Sequence, residues 1–154
     1  MSGGRFLDLY AGTGAVGIEA LSRGAATVTF VESDSKAVQL LRKNLQACQL
    51  LDRAHICVER TAIFLERKDW WHGPYDVLFA DPPYAALDEF EILTHAWKPG
   101  LLSEQATMMI EHESRTPLPA SLDHAKLVRR YVYGDTALYL YGISPSVSTE
   151  SSVL

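Results

Sequence analysis

The chain has 154 residues, enough for one compact domain with its own core and too few for two. Hydrophobic residues make up 47% and charged residues 21%, ordinary for a soluble globular protein, and the longest apolar runs are strand-sized, which excludes a membrane-spanning helix. A net charge of −5 argues against a broad electrostatic footprint on nucleic acid.

The elements alternate along the chain. Arg5 to Tyr10 is a short apolar strand that runs into a glycine turn. Ala15 to Arg23 follows as a helix stopped by Gly24. Thr27 to Val31 is β-branched and aromatic, a second strand ending at Glu32. Asp34 or Ser35 caps a helix through about Cys48, with Val38, Leu41, Leu45 and Cys48 on one stripe. His55 to Val58 is a third strand, and a short helix runs from about Ala62 to Arg67. Tyr75 to Ala80 is a fourth strand, Asp88 to Trp97 a helix ended by Pro99-Gly100, and Thr107 to Glu111 a fifth strand. Two β-rich runs, Lys126 to Tyr133 and Thr136 to Tyr141, flank Gly134-Asp135 as a hairpin. The order predicts an α/β, Rossmann-like fold: a seven-stranded, mostly parallel sheet with an antiparallel C-terminal hairpin strand and helices on both faces. One domain is expected over residues 1–143, followed by a polar, disordered tail over 144–154.

Cys48 and Cys57 have no metal spacing and read as reduced core thiols of a cytosolic protein. The five histidines are scattered, so no structural metal is expected. The start, Met1 to Gly4, lacks the basic and apolar regions of a signal peptide.

Gly12-Thr13-Gly14-Ala15-Val16-Gly17 fits G-x-G-x-x-G between a strand and a helix, a weak signal by itself that suits nicotinamide and flavin proteins as well. Asp8, four residues ahead of Gly12, changes its meaning. A carboxylate aimed into this turn repels a pyrophosphate, whereas S-adenosylmethionine brings an ammonium and a sulfonium and no phosphate. Glu32, at the end of the second strand, is placed to accept both ribose hydroxyls. The expected cofactor is therefore S-adenosylmethionine.

Asp81-Pro82-Pro83-Tyr84 ends the fourth strand, which lies beside the first in a doubly wound sheet. An amino group on an aromatic base is a poor nucleophile because its lone pair is delocalised. The Asp81 carboxylate and a rigid main-chain carbonyl at Pro82 can hold its two N–H bonds and aim the lone pair. Tyr84 offers a flat face for an unstacked base, worth roughly 1–3 kcal/mol.

With both motifs in place, the chain resembles the bacterial 16S ribosomal RNA guanine-N2 methyltransferases of the RsmD type, from about Phe6 to Tyr141. The run from Leu7 to Ala25, with its G-x-E-A-L-S-R-G-A continuation, carries most of the likeness, and Val31-Glu32, Asn44-Leu45, Phe64-Leu65, Asp81 to Tyr84 and Tyr133 to Thr136 match in order and spacing. The resemblance implies methylation of one guanine amine in 16S rRNA, carried in an assembling small subunit, by a cytoplasmic monomer. It implies a cofactor set of Asp8, Tyr10, Gly12, Thr13, Gly14, Glu32, Ser33, Thr61, Ala62 and Asp81, with Asp81, Pro82 and Tyr84 at the reacting amine. Two positions depart from the family. Thr61 stands where the family has Asp or Asn toward the adenine, and a hydroxyl can still accept there. The family also carries a basic segment with a hairpin ahead of the first strand, whereas this chain begins almost at the strand. The expectation is a unit that holds the chemistry without holding RNA unaided.

Trp70-Trp71 are expected to pack over the sheet edge, Arg129-Arg130 to serve the surface or touch phosphate, and His112 to be a minor candidate for a base. Competing readings are an adenine-N6 DNA methyltransferase, disfavoured for want of a target-recognition domain, and a protein-glutamine methylase, disfavoured by Asp at 81. A cofactor-binding module that has lost catalysis is the third.

Overall fold

The computed structural model describes residues 3–83, 87–94, 97–122 and 124–143. In chain order they form β1 (Arg5–Leu9), α1 (Ala15–Ser22), β2 (Thr27–Glu32), α2 (Ser35–Ala47), β3 (Ala54–Val58), α3 (Thr61–Glu66), β4 (Tyr75–Ala80), α4 (Leu87–Thr94), β5 (Leu102–Glu113), β6 (Ser121–Leu122), β7 (Ala125–Tyr133) and β8 (Thr136–Ile143). One sheet runs in the order β3-β2-β1-β4-β5-β8-β7-β6. Pairing is parallel from β3 through β5 and antiparallel from β5 onward.

The expected architecture is present, with one correction: the described sheet has eight strands, not seven. The extra strand, β6, pairs only Ser121 with Lys126 and Leu122 with Ala125, and two residues are too few to show an alternation in sequence. The fifth strand is also longer than the apolar run that announced it. Its first residues, Leu102-Ser-Glu-Gln, are largely polar, and the β4–β5 ladder is irregular between Tyr75 and Val77. The hairpin forms as expected, with Tyr133 paired to Thr136 around the Gly134-Asp135 turn. Helix α4 is described over Leu87–Thr94, and Trp97, the expected end of the helix, is not helical. The tail expected to be disordered, 144–154, lies outside the described residues.

Two apolar clusters cover the two faces of the sheet. On one side Leu7, Leu9, Leu78, Met108, Ile110, Tyr139 and Tyr141 are buried; on the other Phe6, Val28, Phe30 and Phe79 pack with Leu21 of α1 and Leu41 and Leu45 of α2. Period-two alternation assigns the functional acids to a face. Asp8 pairs in register with Phe30 and with Phe79, and so belongs to the face that α1 and α2 cover. Glu32 and Asp81, two positions after those phenylalanines, follow on the same side.

Local chemistry fixes α1. Its carboxyl end is held by Arg53, whose guanidinium donates to the carbonyls of Leu21 (2.9 Å) and Ala25 (2.6 Å). At the far side of the sheet, β7 carries Lys126, Arg129 and Arg130 with no acidic residue, and Val128, Tyr131, Val132 and Tyr133 are exposed. Trp70 and Trp71 pack against the larger cluster, and Trp71 donates its indole N–H to the Phe64 carbonyl.

Candidate active site

The chain leaves β1 on one side to build β2 and β3 and on the other to build β4 and β5. The carboxyl ends of β1 and β4 therefore form the crevice of an open α/β sheet. A cleft of about 580 Å³ opens there, lined by Tyr10, Val31, Glu32, Ser33, Glu59, Arg60, Thr61, Asp81, Pro82 and Pro83. Pro82 is buried, while Asp81 is open to solvent.

The cofactor end is built by backbone amides. The Gly12 N–H donates to one Glu32 oxygen (2.7 Å) and the Asp34 N–H to the other (2.9 Å), so the carboxylate is fixed in orientation with lone pairs to spare. Gly12 and Gly14 adopt positive φ, and a Cβ on Gly14 would lie 2.2 Å from Leu41 Cδ1. Tyr10 also holds a positive φ of 57°, an uncommon conformation for a large residue and one concentrated at functional sites. Asn44 donates to the Thr13 carbonyl (3.0 Å), tying α2 to the loop.

Asp8 sits beneath the turn and does not line the cleft. It is 1% exposed, and its Oδ2 accepts from the Gly17 N–H at 3.0 Å. Burial raises its pKa to about 7, against the lowering effect of that N–H, and the charges of Asp81 and Glu32 raise it further. Of the other residues expected at the cofactor, Tyr10, Glu32, Ser33, Thr61 and Asp81 line the cleft. Gly12, Thr13 and Gly14 shape the adjoining loop, and Ala62 follows Thr61 in α3 without lining it.

The other end of the cleft is built by the residues that follow β4, backed by β5. Ala80 pairs with Ile110, which brings the next residues, Asp81 and Glu111, side by side, and their side chains hydrogen-bond. Burial raises both above the ordinary carboxylate range. The bond between them then favours a charged Asp81 and a protonated Glu111, whose pKa the Asp81 charge raises further. In sequence, His112 is the more conspicuous candidate and its neighbour Glu111 carries no signal; only the β4–β5 register reveals the contact. Tyr84 lies outside the described residues.

These residues fit S-adenosylmethionine. The cleft falls in the range of roughly 300–1,000 Å³ usual for small-molecule sites. Glu32, Glu59 and Asp81 line the cleft against a single lining cation, Arg60, so acids outnumber bases there, and the ion pairs among the described residues (Arg23–Glu19, Arg67–Asp69 and Lys98–Glu66) all lie elsewhere. A ligand carrying an ammonium and a sulfonium offsets that excess of negative charge.

The fold and this site define a class I, S-adenosylmethionine-dependent methyltransferase. The chain belongs to the family described as Conserved hypothetical protein 95, which it matches over residues 1–142. It is 33% identical over 139 residues to YlbH of Bacillus subtilis strain 168, a match covering 90% of this chain and 76% of that one. It is 34% identical over 135 residues to ribosomal RNA small subunit methyltransferase D of Escherichia coli strain K12, covering 88% of this chain and 66% of that protein. Among solved structures, a conserved hypothetical protein of Streptococcus pyogenes superimposes with a TM-score of 0.85 at 28% identity, over 94% of this chain and 88% of that one.

Proposed function

We propose that this chain transfers a methyl group to the exocyclic N2 amine of a guanine in 16S rRNA. We place it in the cytoplasm, acting as a monomeric catalytic domain over residues 1–143 on an assembling small ribosomal subunit. The observation that carries the reading is that Asp81 and Pro82 line the same cleft as Glu32 and Ser33, so an amine held by the first pair meets a cofactor held by the second. The relative named ribosomal RNA small subunit methyltransferase D supports the substrate class.

When bound, S-adenosylmethionine supplies the methyl on an electrophilic sulfonium carbon. Glu32, fixed by two amides, accepts the ribose hydroxyls, and Thr61 accepts from the adenine amine. Asp8, once ionised as the pH passes about 7, sets a negative charge beneath the turn for the ammonium. At the other end, the Asp81 carboxylate and the Pro82 carbonyl accept the two amine hydrogens and direct the nitrogen lone pair into the cleft. As the N–C bond forms, one amine proton leaves to Asp81 and passes through the pair with Glu111 to water. Tyr84, two positions after Pro82, supplies an aromatic face for the base.

The test is methyl transfer to 30S particles from a strain lacking the activity. The wild-type chain should label 16S rRNA at a guanine amine. Asp81→Asn should lose about 10²–10³-fold in kcat while calorimetry finds cofactor binding near normal. Full activity in Asp81→Asn would sink this mechanism; cofactor binding with no transfer by either chain would favour a module that has lost catalysis.

A further inference from the structure

Guanine-N2 methylation assigns Asp81 and Pro82 to the amine and leaves Glu111 as a proton relay. Its position says more. Asp81 follows the last residue of β4 and lines the cleft, and Glu111 on the adjacent β5 lies beside it, the two carboxyls hydrogen-bonded just behind the lining. Hydrogen-bonded carboxyls place acceptor oxygens about 3 Å apart. Ionised, they form a surface of acceptors with no donor, which repels itself unless N–H groups fill it.

Guanine fills such a surface. Its N1–H lies next to its N2 amine, so two adjacent donors face outward on one edge. Adenine offers an amine beside a bare N1, which is an acceptor. A carboxylate facing that N1 sets lone pair against lone pair, and sites built to bond one hydrogen pattern strongly reject another.

We propose that Glu111 accepts the N1–H of the target guanine while Asp81 holds the N2 amine, so that the carboxylate pair determines which base is methylated. This rests on the guanine-N2 reading and extends it: Glu111 touches the base and selects it. The ionised form of Glu111 is the one that accepts, and its ionisation is displaced upward by burial and by the Asp81 charge. Acidified solution therefore removes the acceptor.

The experiment uses small subunits assembled with 16S rRNA carrying either guanine or 2-aminopurine at the nucleotide the wild-type chain methylates. Base 2-aminopurine keeps the 2-amine and lacks the N1 proton. At saturating cofactor, the wild-type chain should favour guanine by at least about tenfold in kcat/KM. Glu111→Gln should bring that ratio close to one, because a carboxamide can turn to donate to a bare N1. It should also flatten the rise of kcat with pH expected of the wild type. Glu111→Asp, which keeps the charge, should retain the preference for guanine at a lower rate, and a thermal melt checks that each variant is folded. If Glu111→Gln slows both substrates by one factor and leaves their ratio unchanged, Glu111 acts only through Asp81 and the proposal is overturned. A wild-type chain that methylates neither particle overturns the guanine-N2 reading, and this proposal with it.

Discussion

The two ends of the cleft are held by different means. At the ends of β1 and β2 the carboxylates are fixed by main-chain amides: Glu32 by Gly12 and Asp34, Asp8 by Gly17. At the ends of β4 and β5 two carboxyls from distant parts of the sequence hold each other through a proton. A main-chain amide keeps its hydrogen at every pH, while a shared proton comes and goes. The binding end is therefore preorganised by backbone geometry, with only the buried Asp8 titrating beneath it, and the reacting end is set to gain and lose protons.

Substitutions can separate the ends. The largest effect belongs to Asp81→Asn, described above, which should fall on kcat alone. Glu32→Ala should do the reverse. Loss of a charged acceptor for the ribose hydroxyls should raise the cofactor Kd roughly 10- to 100-fold by calorimetry, with kcat at saturation changing far less. If Glu32→Ala struck kcat as hard as Kd, the division would fail.

Smaller effects lie beneath the glycine turn. Folding raises Asp8 from 3.8 to about 7, so the native state favours its protonated form. That contribution to stability is complete below pH 3.8 and is lost as the pH climbs to about 7. Asp8→Asn should therefore gain on the wild type in melting temperature across that window, by roughly 5 °C at its upper end. The wild type should gain cofactor affinity as pH passes 7 and the same variant should not, since a carboxamide has no charge to offer an ammonium. An Asn variant that melts identically at pH 4 and pH 8 relative to the wild type would show that Asp8 is not held protonated. Gly17→Ala drives a Cβ to 2.3 Å from Phe30 Cε1, against a ring locked in the core. Overpacking of this kind costs about 1–3 kcal/mol, readable as an earlier chemical-denaturation midpoint.

The same contrast separates what the sequence reveals from what it conceals. The cofactor end was legible because its parts are local: Asp8, the three glycines and Glu32 lie within one βαβ unit whose spacing carries the meaning. Tyr75 to Ala80 could be read as a strand from its β-rich run, and the motif after it from its prolines. Glu111 could not be read, because its approach to Asp81 depends on the β4–β5 register and on an irregularity near Tyr75. Nor could the part Arg53 plays at the end of α1, since a lone arginine in a turn gives no sign of which carbonyls it reaches. Asp8 marks a finer limit. Its place at the strand end was clear, whereas its burial under Gly17 follows from how closely α1 rests on the sheet.

Beyond the two residues paired by β6, strand β7 leaves the described sheet with an open edge that carries Arg129 and Arg130. An open strand edge is a template on which another strand can add, and copies of one protein share the same template. Here two copies meeting edge to edge would bring Arg129 and Arg130 against their own counterparts, and like charges at that range repel. The sheet thus ends in an edge that avoids itself, and the exposed Val128 and Val132 can remain in water without becoming a seam for aggregation.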